Sequence, residues 1–456
     1  MNGSCQVPYL RCARHGATDG RDHLLKHLRR GLSAIAALVF TASLCAAGTA
    51  PATAAPPASA APPGHGTCVA TAPGTPLQRQ GTAWTCVRTI DTAPAGAAAP
   101  TSAALAPAAR AQAADPKPNP GLGMCTGADP RQSSRKAYCV RHWVIYEALG
   151  KDGSVADHAT VFVAAAASMD SQPQAAWSED IITEVVEMTE KMPPVTMALS
   201  STCSGQCTSG SSAWDGAAVR FRRLHEGKDG TLSYSSSVGK GFNTTILPTY
   251  RVEGAILNGS GPPTHIRPEW NGIEVRCDDD SGSWPGCIVP GHLANVTFSK
   301  ARYRGAAIAY EWAQKNLTGK YGDHDHPLNR FTDPLDPKND KRRDKTCGIG
   351  GPNKFVGGAT GVPNDSCDEY PFAGSWQGGK DGNQCVDITP RAVGGVWDIA
   401  NVTVDRAAQP TPPYNAPCIR AHVDNKDNGD AGLEYGRAIQ SDRIIDSEAF
   451  EVIIAP

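Results

Sequence analysis

Twelve cysteines fall into closely spaced neighbours between Cys68 and Cys418, and this constrains the fold more than any other feature of the chain. The other three of the 15, Cys5, Cys12 and Cys45, lie in the first fifty residues. An even remainder suits six disulfides formed in an oxidising compartment. Sequence does not fix connectivity, but the spacing invites Cys68–Cys86, Cys125–Cys139, Cys203–Cys207, Cys277–Cys287, Cys347–Cys367 and Cys385–Cys418. A zinc site is the weaker reading, because no two C-x-x-C pairs face each other at finger spacing.

The N-terminus agrees with export. Lys26, Arg29 and Arg30 precede an apolar run from Gly31 to Gly48, and small residues follow around Ala54. Positive head, short apolar stretch and small-residue cleavage site make residues 1–55 a signal peptide. A membrane anchor is the alternative, since about 18 apolar residues just suffice to span a bilayer. The run is mostly Ala, Ser, Thr and Gly, which favours cleavage, secretion and no membrane association afterwards.

At 456 residues with net charge −2, the chain has room for two domains and lacks the broad basic footprint of a nucleic-acid binder. Any such surface must be local. Residues 56–120 are rich in Ala and Pro and read as a linker, mostly disordered, holding a small Cys68–Cys86 loop. Residues 121–270 read as a β-rich, sandwich-like module, with short β-branched and aromatic runs such as Val140–Tyr146 and Thr160–Val163. The stretch Trp177 to Met192 fits a helical face through Ile181, Val185 and Met188, and equally a long strand. No catalytic constellation appears in this module.

Residues 271–456 form the second expected domain. Asp278-Asp279-Asp280 lacks calcium-loop spacing and reads as a solvated turn. Tyr303, Ala306, Ala307, Tyr310 and Ala313 recur at helical spacing after Ser299, as a core stripe. Asp323-His324-Asp325-His326 looks like a metal run, but alternate residues diverge in an extended chain, so a hydrated loop is favoured. The basic run Lys338, Lys341, Arg342, Arg343 and Lys345 reads either as a phosphate-contacting patch or as a solvated loop.

Two blocks then concentrate chemistry. The first is Cys367-Asp368-Glu369-Tyr370-Pro371-Phe372-Ala373 with Gly378-Gly379; the second is Asp427-Asn428 with Ala431-Gly432, Glu434 and Gly436, a turn entering a short helix. Adjacent acids on a strand point to opposite faces, so one is expected at the reacting water or metal and the other beside it. Together these blocks resemble the NucA/NucB-type secreted deoxyribonucleases, and His326–Pro334 with the basic run is similar to the upstream segment of long actinobacterial-type members. The resemblance spans roughly Cys277 to Pro456.

It implies an α+β chain: a C-terminal ββα-metal-like nuclease domain with disulfides, after the β-rich module. It also implies hydrolysis of extracellular DNA with a divalent metal ion, Mg or Mn. Asp368 and Glu369 are the expected catalytic residues, Asn428 and Glu434 the expected metal ligands. Arg330, Lys341, Arg342 and Arg343 are expected to contact the nucleic acid. Gln377 departs from the family pattern, where several relatives carry Glu just before Gly-Gly. A nuclease toxin acting on RNA or on both nucleic acids, and a catalytically degenerate protein that binds DNA or cell wall, are the competing readings. No protein partner is evident.

Overall fold

The computed structural model describes residues 63–101, 119–169, 175–210, 212–257, 267–348, 354–358, 362–404 and 411–456. The expected signal peptide lies outside them, as does part of the expected linker.

Long antiparallel strands dominate the first half. Ala137–Leu149, Val155–Ser168 and Ala176–Met188 pair in sequence, and Gly227–Ser236 continues the sheet. The ambiguous stretch around Ile181 is therefore a strand. Ile181 and Val185 enter one core while Ile182 and Val186 enter another on the opposite face. Burial of both faces removed the period-2 signal that marks a half-exposed strand. Pro248–Ile256 and Val195–Cys203 lead a second sheet, which shares the larger core. Tyr146 crosses that core to donate to the Thr196 carbonyl at 3.1 Å.

Two expectations are corrected by strand pairing. Trp84–Ile90 pairs with Ala137–Leu149, and Thr67–Ala70 pairs with it in turn, so the Cys68–Cys86 stretch is part of the large sheet and not an isolated loop in a linker. Composition hid it, because the flanking Ala and Pro dominate any window that contains these strands. Val275–Asp278 pairs with Asn243–Ile246 on one side and Gly286–Ile288 on the other, and it and Gly286–Ile288 contribute Val275, Cys277 and Cys287 to the first core. The change of core falls between Val289 and Ala294, about twenty residues beyond the expected boundary.

The second core belongs to a mixed unit. Ala294–Ser299 runs parallel to Ala449–Ala455, which also pairs with Leu328–Asn329. A four-stranded sheet follows, in the order Asp365–Tyr370, Ile419–Asp424, Val386–Val393, Val396–Thr403. The helix Lys300–Asn316 lies against this sheet and buries Tyr303, Ala306, Ala307, Tyr310 and Ala313, the stripe read from spacing. The last helix, Asn425–Ser441, starts directly from the Ile419–Asp424 strand, and the Asp424 side chain caps it by accepting from the Lys426 amide. It runs 17 residues, longer than the short helix expected. All six disulfides form between the neighbours that spacing suggested. No helix among the described residues is long and apolar enough to cross a membrane.

Candidate active site

Asp368 and Glu369 sit on the edge strand of the four-stranded sheet, where both faces of the strand reach one cleft. The Cys347–Cys367 disulfide ties that strand to the helix Asp340–Cys347, whose Arg343 also lines the cleft. As the alternation requires, the two acids point apart. Asp368 turns toward the Lys300–Asn316 helix, where the Tyr310 hydroxyl approaches its two oxygens at 2.9 and 3.2 Å. Glu369 turns toward Arg343, whose Nε lies 3.6 Å away.

Both carboxyls are buried, and burial is what perturbs them. It raises Asp368 well above the usual carboxylate range; the charge of Glu369 adds to the rise and the Tyr310 hydrogen bond opposes it. Glu369 is pushed up to about 7 by burial, against the pull of Arg343. Two adjacent desolvated acids form a site that a neighbouring positive charge would stabilise.

The turn after the acids is held by close packing. A side chain at Gly378 would place its Cβ 1.9 Å from the Phe372 carbonyl, and Gly379 has a φ of +62°. Arg342 closes this turn by donating to the carbonyls of Ala373, Ser375 and Gly378, with its guanidinium 4.1 Å above the Phe331 ring. Arg342 is thus committed to the fold and leaves the expected nucleic-acid set. Lys341 is exposed and away from the cleft lining, whereas Arg330 and Arg343 both line it.

Asn428 faces the acids from the last helix. Its Nδ2 donates to the Cys367 carbonyl at 2.9 Å and to the Ser366 hydroxyl at 3.1 Å. Both amide hydrogens are used, which leaves Oδ1 as an acceptor in the cleft. Glu434 does not join it. Six residues on, it is rotated by roughly 120° around the helix, where it accepts from Tyr303 at 2.7 Å and pairs with Arg437 at 3.3 Å. Gln377 also lies away from the cleft lining. Its Oε1 accepts from the Asn329 amide at 3.0 Å while its Nε2 donates to Asn329 Oδ1 at 2.9 Å. A glutamate at this position would lose the second bond.

The far wall comes from the β-rich module. Asp280, Ser281 and Gly282, inside the Cys277–Cys287 loop, line the cleft together with the helix residues Tyr435 and Gln440, Gly282 lying close against Gln440. The expected solvated turn is instead anchored. Asp278 is wholly buried and takes Arg443 at 2.7 and 2.9 Å, while Arg135 and Arg276 reach Glu448 at 2.8 and 2.9 Å. The 444–448 segment in turn holds Arg330, through its backbone bond to Glu448 and its side-chain bond to the Ile444 carbonyl.

Residues 319–395 match the family model Deoxyribonuclease NucA/NucB. This segment is similar to the NucA/NucB deoxyribonucleases. Both acids, the glycine pair, Arg330 and Arg343 lie inside the match, and Asn428 lies beyond it. No curated protein and no solved structure matches the chain.

The candidate donors of this cleft are oxygens: two carboxylates and the Asn428 amide oxygen. Such a set suits a hard cation of the Mg or Mn kind. Among the described residues no three His, Cys, Asp or Glu side chains form a ready metal cluster. The D-H-D-H run is a surface turn in which His326 pairs with Asp323 and His324 with Glu451. Spacing did not mark Tyr310 as a site residue, because a tyrosine in an Ala-rich helical stripe has the signature of core; its hydroxyl does both jobs.

Proposed function

We propose that the protein is a secreted, metal-dependent endonuclease that hydrolyses phosphodiester bonds of extracellular DNA. The observation that carries this reading is that Asp368, Glu369, Asn428, Arg330 and Arg343 all line one cleft. The NucA/NucB match supports the reaction class. Six disulfides support an oxidising compartment. Two antiparallel strands, Asp365–Tyr370 and Ile419–Asp424, running into the Asn425–Ser441 helix support a ββα-metal-type site, although the 48 residues 371–418 replace the usual tight hairpin.

Hydrolysis needs a water activated by a base and an anionic phosphate held against repulsion. Glu369 has an affinity for protons matched to neutral pH and accepts one from the attacking water. Asp368, fixed by Tyr310, and Asn428, fixed by the Cys367 carbonyl, present oxygens that would hold the cation. When bound, a divalent cation neutralises charge that grows on the phosphoryl and leaving oxygens. Arg343 and Arg330 orient the phosphate as positively charged hydrogen-bond donors. Water forms the new bond to phosphorus as the bond to the leaving oxygen breaks.

Parallel digests of duplex DNA, single-stranded DNA and RNA, with Mg²⁺ or Mn²⁺ and with EDTA, test the proposal. Cleavage of DNA that EDTA abolishes is expected. Cleavage of RNA alone would move the protein to the toxin reading, and intact substrates in every metal would leave a binding protein.

A further inference from the structure

We propose that the hollow beside Trp397 is a second nucleic-acid subsite, which takes one unpaired nucleobase of the substrate strand while Arg304, Arg391 and Lys426 hold the flanking phosphates. The inference rests on the nuclease reading above and adds to it a binding site outside the cleft.

The hollow has a volume of about 320 Å³ and opens where the Val386–Val393 and Val396–Thr403 hairpin leaves the body. Pro390, Ala392, Val423 and the half-buried Trp397 supply apolar walls. The cations stand at the rim. Arg304 has φ 39° and ψ −111°, a conformation that breaks its helix and that side-chain-bearing residues adopt at a cost. Such strain persists where the surroundings impose it, and here it sets the guanidinium 3.6 Å from Asp427 at the hollow. Arg391 is exposed with no ion-pair partner among the described residues, and Lys426 pairs only with Asp430 on its own helix. The acids that face the hollow are occupied, Asp427 by Arg304 and Asp424 by the Lys426 amide.

An aromatic wall with cations at its rim is the chemistry of a single-strand stacking platform. A paired base in a duplex has both faces covered and cannot enter. The placement also suits one strand running across the sheet. Asp424, at the near edge of the hollow, pairs with Asp365 and Ala421 with Asp368, so that edge lies three residues along the strand pair from Asp368, roughly 10 Å, and Trp397 stands on the far edge strand of the same sheet. Asp427 lines the hollow and its neighbour Asn428 lines the cleft, so the two sites meet at the start of one helix.

The test uses the full chain and a fluorescein-labelled octathymidylate in EDTA, which separates binding from cleavage. Trp397→Ala is expected to weaken binding about tenfold, and Trp397→Phe to restore most of it. With metal, Trp397→Ala is expected to raise KM for single-stranded DNA about tenfold with kcat near the wild-type value. Affinity and KM within twofold of wild type would overturn the proposal. If Trp397→Ala melts early, Arg391→Ala decides, because that exposed side chain makes no hydrogen bond or ion pair among the described residues: weakened octathymidylate binding supports the subsite and unchanged binding overturns it. A wild-type protein that binds octathymidylate through Trp397 but cleaves nothing would defeat the nuclease reading and leave the subsite standing.

Discussion

Asn428 hangs from the carbonyl of Cys367, 2.9 Å from its Nδ2, so the helix residue is registered to the strand one position before Asp368. That bond fixes which way the amide oxygen points. Asn428→Ala removes both the oxygen and the registration. Metal-supported DNA hydrolysis should fall by about 10- to 100-fold, measured as initial rates under saturating Mg²⁺. Unchanged rates would remove Asn428 from the site.

Tyr310 is the buried donor to Asp368, and Tyr310→Phe keeps its ring contacts with Tyr370 and Phe372. The substitution leaves a buried carboxyl without this partner, a loss of about 1.5–3 kcal/mol for a bond to a charged group. It should lower kcat by about tenfold or more while DNA binding persists. Steady-state kinetics beside a binding isotherm would separate the two.

Asp278 and Arg443 tie the β-rich module to the C-terminal unit through a buried pair. Breaking such a pair from one side strands the other charge and costs about 3–5 kcal/mol. Arg443→Ala should therefore lower Tm by several degrees. It should also weaken activity, because the 444–448 segment beside it positions Arg330. Thermal unfolding and DNA digestion on the same sample check both effects. An unchanged Tm would mean that the modules do not depend on this contact.

Glu179 gives the β-rich core a pH dependence. Tyr138, Tyr234 and Tyr250 all donate to its buried carboxyl, yet burial wins and raises its pKa from 4.5 to about 6. A raised carboxyl favours the protonated folded state, so its contribution is complete below about 4.5 and lost as pH rises through 6. The linkage amounts to about 2 kcal/mol, at about 1.4 kcal/mol per unit. Glu179→Gln should flatten this limb, seen as a smaller fall in urea midpoint between pH 4.5 and 7 than in the wild type.

Local signals were legible in the sequence and long-range ones were not. Cysteine spacing gave the disulfides, and the stripe from Tyr303 to Ala313 gave its helix, because each depends on near neighbours. The acid pair and Asn428 were legible as blocks, since their spacing to glycines is fixed by a tight turn and a helix start. Asp278 read as solvated because its partner, Arg443, lies 165 residues away. Arg342 read as a phosphate contact because nothing local shows that three carbonyls of the 373–378 turn consume it. Glu434 shares a helix with Asn428, and only the helix phase separates their faces.

The most direct measurement is cleavage of a labelled DNA duplex by the wild-type protein and by Asp368→Asn, in Mg²⁺ or Mn²⁺ and in EDTA, with DNA binding followed in parallel. The account predicts metal-dependent cleavage by the wild type, loss of at least about a thousandfold in Asp368→Asn, and binding retained by both. Equal cleavage by the two proteins, or cleavage that persists in EDTA, would contradict it.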